Sequence, residues 1–241
     1  MEQLLTGAQQ LLGLDLTSSQ RRAFQTYYRE LADWNARFNL TAITDRQGVQ
    51  VRHFLDSLSC LLALGNDVQE QSVIDVGSGA GFPGLPLKIV RPSLRLTLLE
   101  ATGKKVKFLR HLVALLQLND VDVIHARAEE IGQDPVQRES YDWVLARAVA
   151  ALPTLVEYLL PLCRLGGYCL AQKGEKAAAE ALAAEPAILL LGGRLNRLLP
   201  VELPGLAETR HLVIIDKIAR TPAKYPRRPG KPAKSPICRV K

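Results

Sequence analysis

Cysteine is scarce in this chain, and long apolar runs are missing altogether. The 241 residues include four cysteines, and none of them forms a CxxC pair. With no signal peptide, we expect reduced thiols and a cytoplasmic location. No apolar run approaches the roughly 20 residues that a membrane-spanning helix needs, so we expect no contact with a membrane.

Motifs for metal or cysteine chemistry are also missing. His53 and His125 have no partners at metal-ligand spacing, which predicts no metal site and gives both a structural or solvent-exposed position. No Pro-Cys pair follows the predicted fourth strand, which argues against covalent cysteine attack on a pyrimidine. The Asn/Asp-Pro-Pro-Tyr/Phe motif of amino-directed methyltransferases is absent as well.

Acidic residues are absent from residues 221–241, which hold seven of the 31 basic residues. The rest of the chain balances at 24 basic and 24 acidic residues, so the whole net charge of +7 lies in this tail. Its five prolines argue against a helix or a central strand. We expect an extended arm that binds a polyanion such as RNA through Arg227 and Arg228, with a disordered solubilising tail as the alternative.

The most informative segment is residues 73–84, where an apolar run ends in Asp75 and then becomes a glycine-dense turn. Glycine allows backbone conformations that other residues avoid and lets the chain pass close to a ligand. A dinucleotide-binding fingerprint needs glycine at its sixth place, which is Phe82 here. The order D-x-G-x-G-x-G instead resembles the first motif of methyltransferases that use S-adenosylmethionine (SAM), which predicts a nucleoside-binding loop around Gly77 and Gly79.

Hydrophobic periodicity predicts two kinds of structure. Helical spacing covers residues 17–38 and 49–64, so residues 1–65 are interpreted as a helical extension. From residue 66 to 220, short strands alternate with helices, which predicts a doubly wound, parallel α/β sheet. Residues 221–241 form the separate basic tail. The strands are expected at residues 73–76, 95–100, 121–126, 143–148, 168–172 and 211–218, with a Gly166-Gly167 turn before the fifth.

Charged residues follow several of these strands. Ligands on open α/β sheets bind outside the carboxyl ends of the strands, so Asp75, Glu100, Arg127, Arg147 and Lys173 are expected at one edge. Asp75 would accept hydrogen bonds from the loop and face a cationic part of the ligand. Glu100 lies 23 residues after Gly77, where a carboxylate binds ribose hydroxyls. The three cations suit a site that is open to phosphate.

These features leave three functions open. One is a SAM-dependent methyltransferase that acts on RNA, and the second is an NAD-dependent oxidoreductase. The third is a ribosome-assembly protein that binds RNA and merely retains a SAM pocket. The sequence also predicts a monomer without a bound metal.

Several further motifs occur together with the glycine loop. They are Asn35 with Phe38-Asn39-Leu40-Thr41, Arg52-His53-Phe54-Leu55-Asp56-Ser57, Arg127-Ala128-Glu129-Glu130, Ala146-Arg147-Ala148, Lys173-Gly174 and Tyr225-Pro226-Arg227-Arg228-Pro229-Gly230. In this order and combination they resemble the RsmG (GidB) family over nearly the whole chain.

The resemblance implies a class I SAM-dependent methyltransferase with a Rossmann-like sheet. Members of that family methylate N7 of guanine 527 in the 530 loop of 16S rRNA, so the partner would be 16S rRNA or the small ribosomal subunit. From their positions at strand ends, and for Arg147 from the resemblance as well, we expect Arg147 and Lys173 to be the catalytic residues. Their charge and position lead us to expect that Arg127, Lys173, Arg227 and Arg228 bind RNA. The resemblance places SAM contacts at Gly77, Phe82, Ala101, Thr102, Ala128, Glu129 and Arg147.

Overall fold

The computed structural model describes residues 1–65 and 70–237. Within these ranges one sheet has seven strands in the order β3-β2-β1-β4-β5-β7-β6. The strands are β1 Ser72–Val76, β2 Arg95–Glu100, β3 Val121–His125, β4 Tyr141–Arg147, β5 Cys163–Lys173, β6 Gly193–Val201 and β7 Arg210–Lys217.

Strands β1 to β5 are parallel, while β7 runs antiparallel to both β5 and β6. The order reverses between β1 and β4, which are paired through Val73 and Trp143. At such a reversal the loops that follow neighbouring strands diverge and leave a crevice at their carboxyl ends. The predicted mostly parallel, doubly wound sheet is therefore confirmed.

Helices connect the strands and cover both faces of the sheet. They are α1 Glu2–Leu12, α2 Ser18–Phe38, α3 Arg46–Gly48, a π-helix Val49–Leu55, α4 Asp56–Leu58, α5 Leu61–Leu64, α6 Gly84–Val90, α7 Gly103–Leu115, α8 Ala128–Ile131, α9 Leu152–Leu159, α10 Ala177–Leu190 and α11 Lys231–Lys234.

The N-terminal helices share one core with a face of the sheet. Helix α2 begins with a capping box, in which Thr17 and Gln20 satisfy each other's backbone amides. Its helical spacing then places Phe24, Tyr27 and Leu31 on one buried stripe. This stripe belongs to the same apolar cluster as Val73 of β1, so the extension is packed directly on the sheet.

The opposite face is covered by α9, α10 and the C-terminal segment. Because side chains alternate along a strand, Ile74 of β1 points away from Val73 and joins this second cluster. Tyr225 and Ile237 of the tail belong to it too. The tail is therefore not the extended arm expected from its prolines. It folds back and includes α11, whose Pro232 lies in the first turn, where a missing amide costs little.

The structure differs from the sequence predictions at three elements. Strand β6 was missed because Arg194, Asn196, Arg197 and Pro200 interrupt its apolar residues, and most of the strand is exposed, as edge strands often are. Gly166 and Gly167 lie inside β5 and not before it, at an irregularity in the pairing with β4. The helix expected over 49–64 begins earlier, at α3, and continues through the π-helix to α4 and α5. The predicted boundary at residue 66 lies outside the described residues.

Candidate active site

The glycine loop follows β1 at the sheet's crevice. The Gly77 and Ser78 amides both donate to the Leu99 carbonyl, at 2.8 and 3.1 Å, which ties the loop to β2. Gly77 has a φ of 71°, and a Cβ there would lie 2.7 Å from Cγ2 of Val149. Glycine is therefore required at this position both for the backbone conformation and for the space in front of the loop.

Glu100 connects this loop to the next helix. Its Oε2 accepts from the Gly79 amide at 2.9 Å and its Oε1 from the Thr102 amide at 2.7 Å. The carboxylate is nearly buried, with 6% exposure of the residue, and it lies in the wall of a cavity. Two charge-assisted bonds hold it in place, and each oxygen keeps a second lone pair for a ligand.

The cavity beside Glu100 has a volume of about 360 Å³, within the usual ~300–1,000 Å³ of small-molecule sites. Its wall brings together six residues that were predicted from their sequence motifs to lie at the site: Gly77, Glu100, Ala101, Arg127, Ala128 and Glu129. Leu99, Ala126 and Tyr158 add apolar surface, suited to the flat face of a base. Carboxylates that accept from hydroxyl and amino groups, apolar surface and a glycine floor fit the nucleoside part of SAM.

Two other residues predicted to contact the cofactor lie beneath the loop. Asp75 is fully buried, with Oδ2 accepting from the Gly84 amide at 2.9 Å and Oδ1 without a protein partner. Burial raises the pKa of Asp75 to about 7. Phe82 is stacked between Tyr27 and His53, at centroid distances of 5.2 and 4.5 Å. Both residues support the loop from below, and their contact with the cofactor remains a prediction.

A second cavity, of about 320 Å³, adjoins the first at Ala148, which lines both. Its wall includes the polar and charged residues Arg52, His53, Asp56, Arg147, Gln172, Lys173 and Arg210. Asp56 Oδ1 and Gln172 Oε1 are buried there without a hydrogen-bond partner. Buried polar atoms of this kind are costly unless a ligand or water satisfies them.

Arg147 is the central cation of the second cavity. It donates to Asp56 Oδ2 at 2.8 Å and to the Arg52 carbonyl at 3.1 Å, and its guanidinium lies 5.0 Å from the ring centre of Phe82. Only 13% of its side chain is exposed, and 6% of that of Asp56. Arg147 therefore joins the end of β4 to the N-terminal extension as well as lining the cavity.

His53 completes this arrangement. Its Nδ1 lies 3.3 Å from Arg147 Nη2, and its Nε2 lies 2.8 Å from the Thr41 hydroxyl. Burial, and then the nearby Arg147 charge, lower the pKa of His53 to about 3. The ring is therefore neutral, with Nδ1 accepting from Arg147 and Nε2 donating to Thr41.

Lys173 holds the loop between the two cavities. Its ammonium donates to the Ala150 carbonyl and pairs with Glu180 at 2.8 Å, and Glu180 also accepts from the Leu152 amide at 2.7 Å. Its side chain is 10% exposed. A direct contact between Lys173 and RNA stays a prediction, and the ammonium group already has two protein partners.

Five polar residues of the second cavity were not assigned to the site from the sequence: Arg52, His53, Asp56, Gln172 and Arg210. His53 had been interpreted as structural or solvent-exposed. The signal was present, because His53 and Asp56 share the Arg52–Ser57 motif and lie three residues apart, on one face of a helix. Gln172 and Arg210 carry no local signal, since only strand pairing brings them to the cavity.

The predicted RNA-binding arginines differ in their surroundings. Arg227 is paired with Glu157 at 2.6 Å, whereas Arg228 is exposed, and its side chain has no protein partner among the described residues. The Arg127 side chain is also exposed and free of a protein partner in that part of the chain. Arg239 and Lys241 lie outside the described residues.

Neither a metal site nor a membrane helix is found in residues 1–65 and 70–237. They contain no group of three or more His, Cys, Asp or Glu residues placed to hold a metal ion. No helix among them has the length and hydropathy to cross a membrane. Cys60, Cys163 and Cys169 are buried free thiols.

Comparison with solved structures establishes the fold class. A SAM dependent methyltransferase from Aquifex aeolicus aligns with a TM-score of 0.52 and 17% identity, over 73% of this chain and 96% of the other. TrmN from Thermus thermophilus aligns with a TM-score of 0.52 and 19% identity, over 70% of this chain and 53% of the other. The sheet order, the glycine loop and these neighbours define a class I methyltransferase fold.

Sequence comparison identifies the family. The family model for rRNA small subunit methyltransferase G (GidB) matches residues 20–213. "Ribosomal RNA small subunit methyltransferase G" of Roseiflexus sp. (strain RS-1) is 54% identical over 98% of this chain and 100% of its own length. The protein of that name from Dehalococcoides mccartyi (strain BAV1) is 49% identical over 94% of this chain and 95% of its own. The chain belongs to the rRNA small subunit methyltransferase G family.

Proposed function

We propose that this protein transfers the methyl group of SAM to N7 of a guanine in 16S rRNA, guanine 527 of the 530 loop. Family membership supports the reaction and the RNA class. One structural observation carries the proposal: a cavity suited to a nucleoside adjoins a cationic cavity at Ala148. The protein would act in the cytoplasm as a monomer, where its buried thiols stay reduced.

The first cavity would hold the cofactor. Glu100 and Glu129 would accept hydrogen bonds from the nucleoside, and Gly77 leaves the space in front of the loop. When bound, SAM supplies a methyl group on a positively charged sulfur. The glycine loop and Ala148 would direct that group towards the second cavity, because both cavities open at this point.

The second cavity would hold the target nucleotide. Guanine offers N–H donors on its Watson–Crick edge. Asp56 Oδ1 and Gln172 Oε1 belong to residues of this wall and are buried acceptors without a hydrogen-bond partner, with Arg210 Nε 4.0 Å from Asp56 Oδ1. Arg52 and Arg210 lie in the same wall and suit the phosphates on either side. Ion pairing fixes Arg147 and Lys173, so both would shape the cavity and the loop beside it.

The reaction needs no general base. Guanine N7 carries a free lone pair and loses no proton when it is methylated. Placing that lone pair in line with the methyl group is sufficient, provided that the alignment is close. The one histidine of the second cavity, His53, is neutral because its pKa is about 3, and so it supplies no acid near neutrality.

The direct test is to map methylated nucleotides in 16S rRNA from cells with and without this protein. We expect one added 7-methylguanosine, detected by chain scission after borohydride and aniline treatment. Calorimetry should show binding of SAM and none of NAD. Methylation elsewhere in the RNA, tighter binding of NAD, or SAM binding without methyl transfer would contradict the proposal, and the last would indicate an RNA-binding assembly factor.

The pH dependence tests the absence of a base. With RNA and SAM saturating, the single-turnover rate should be nearly flat from about pH 6 to 9, since methyl transfer to N7 removes no proton from the guanine. A rate that rises tenfold per pH unit through neutrality would mean that a proton must leave. An exocyclic amine or a ribose hydroxyl would then be the methyl acceptor.

A further inference from the structure

The C-terminal segment, defined here as residues 221–237, packs against the cofactor cavity. Tyr225 and Ile237 lie in the apolar core on that face of the sheet. Ala233 forms part of the cavity wall itself. Arg138 donates to the carbonyls of Tyr225 and Thr221, at 2.7 and 2.8 Å, which fixes the start of the segment. A basic tail whose only task was to bind RNA would not need these contacts.

Arg227 is the anchor of this segment. Its Nε donates to Glu157 Oε1 at 2.8 Å and its Nη2 to Glu157 Oε2 at 2.6 Å, while its backbone amide donates to Oε1 at 2.9 Å. The Glu157 side chain is fully buried in α9, and that of Arg227 is 25% exposed. Its Nη2 also donates to the Ser235 carbonyl at 2.9 Å, which closes the segment into a loop. Three bonds to one buried carboxylate fix both the position and the orientation of the chain.

The loop held by Arg227 presents a backbone amide to the cofactor cavity. The Gly230 amide donates to Glu129 Oε1 at 2.9 Å. Glu129 lies in the cavity wall and is 6% exposed. Its other oxygen, Oε2, has no protein hydrogen-bond partner among the described residues, so it is available to a ligand. Glu129 thus has one oxygen held by the C-terminal segment and one left for a donor in the cavity.

We propose that the C-terminal segment is a wall of the cofactor site, in which Arg227 and the Gly230 amide are positioning groups that orient Glu129 towards the nucleoside of SAM. The inference rests on the proposed function, since it takes SAM as the ligand of this cavity. It gives the tail a role in cofactor affinity in addition to any role in RNA binding. The ligand would donate to Glu129 through a hydroxyl or amino group of its nucleoside, because these groups are the neutral hydrogen-bond donors of the nucleoside.

The test is a double-mutant cycle on SAM affinity, measured by calorimetry on the full chain. Arg227→Ala should weaken SAM binding about tenfold, because Glu129 loses its orientation. Glu129→Ala should weaken it at least as much. The double variant should bind no more than twofold more weakly than Glu129→Ala alone, since Arg227 acts through Glu129. S-adenosylhomocysteine should show the same pattern, because the nucleoside is common to both ligands.

The controls separate positioning from folding. Lys224→Ala removes one positive charge from the same segment at an exposed position, and SAM affinity should stay within twofold. Arg227→Ala removes the guanidinium and leaves the buried Glu157 with the backbone amide of residue 227 as its remaining donor, so thermal unfolding is recorded for every variant. If that variant does not fold, Arg227→Lys keeps a cation at Glu157 but loses the two-nitrogen contact, and SAM binding should be weakened by severalfold.

Two results would overturn the inference. One is a folded Arg227 variant, alanine or lysine, that binds SAM within twofold of the wild type. The other is a full additional loss in the double variant, which would mean that Arg227 acts independently of Glu129. If the wild-type chain does not bind SAM, the proposed function fails and this inference with it; that outcome is recognised before any variant is made.

Discussion

At the scale of single residues, Asp75 supports the glycine loop from a fully buried position. Its carboxylate accepts one hydrogen bond, from Gly84, and its second oxygen has no protein partner. Burial is the main cause of its raised pKa, with Glu100 adding to it, while the Gly84 amide and Arg147 oppose the shift. The group therefore costs stability when it is ionised.

Asp75→Asn should stabilise the protein at high pH. The pKa of Asp75 is about 7 in the folded state against an ordinary 3.8, so the folded state binds the extra proton between these values. The stability that this group contributes is full below about pH 4 and is lost as the pH rises to about 7. Asparagine keeps an acceptor for Gly84 without the charge.

The measurement is the unfolding temperature of both proteins at pH 8 and pH 4.5. At pH 8 we expect the variant to unfold at least about 3 °C higher, since 1 kcal/mol corresponds to about 2–4 °C in a domain of this size. The gain should shrink at pH 4.5. The pKa of His53 is lowered to about 3, so its contribution to stability changes with pH in the opposite direction. His53 is present in both proteins, and its contribution therefore cancels when they are compared. An equal increase in unfolding temperature at pH 8 and pH 4.5 would rule out the titration of Asp75 as the cause of the stabilisation.

Gly77→Ala should abolish tight SAM binding. The added Cβ would lie 2.7 Å from Val149 at the mouth of the cavity, and φ is 71°. Gly13→Ala is the matched control, because Gly13 also has a positive φ, of 60°, but no atom lies within 4 Å of its Cβ position. Both variants should lose about 1–2 kcal/mol of stability from backbone strain. Calorimetry should show weakened SAM binding for Gly77→Ala only; equal affinities would place the ligand elsewhere.

At the scale of elements, an ion pair joins the N-terminal extension to the sheet. Arg147 ends β4, and Asp56 begins α4. Their side chains are 13% and 6% exposed, and Arg210 is the next cation, with Nε 4.0 Å from Asp56. The pair is thus both an anchor between two elements and a wall of the cavity between them.

Arg147→Ala should destabilise the protein by about 3–5 kcal/mol, because it leaves Asp56 buried without its close partner. Adding Asp56→Asn should recover part of this stability, since it removes the unpaired charge. Methyl transfer should stay low in both variants, because the second cavity is still altered. Urea unfolding and a methylation assay measure the two effects. An unfolding midpoint at the wild-type value would show that the pair does not anchor the extension.

At the scale of the whole molecule, some cations are held in ion pairs and others are exposed without a partner. Arg227, Arg147 and Lys173 are held in ion pairs with Glu157, Asp56 and Glu180. Arg127 and Arg228 are exposed, and their side chains have no protein partners among the described residues. The net charge of the tail therefore overstates how much of it is free to meet RNA.

Arg228→Ala and Arg127→Ala should each weaken RNA binding across unrelated sequences. Each variant should also lower the slope of log affinity against log salt by about 1, because one fewer phosphate contact releases counterions. Arg220→Ala, an exposed cation in the loop after β7, is the control and should leave the slope unchanged. RNA binding is measured from 50 to 200 mM salt. Slopes that stay at the wild-type value would exclude Arg127 and Arg228 from the RNA interface.

Local sequence patterns were sufficient to predict much of the fold. The alternation of strands and helices identified the sheet, and β2 agrees with its predicted bounds, residues 95–100. Gly77 and Glu100 were predicted because Gly77 directly follows a strand and Glu100 ends one, whereas Glu129 was placed at the site by the family resemblance. The carboxyl ends of parallel strands lie at the same edge of the sheet, regardless of the conformation of the loops. The sequence therefore placed these residues at one site, and they line the first cavity; their contact with SAM stays a prediction.

Tertiary structure decided what these residues contact. His53, Asp56, Gln172 and Arg210 come from distant parts of the chain and meet only when the extension packs on the sheet. The tail was misjudged because its prolines and charges describe local preference, whereas Tyr225, Ile237 and the pair between Arg227 and Glu157 hold it in place. Charge is visible in a sequence, but the partner of each charge depends on long-range packing, so only the folded chain shows which cations remain free.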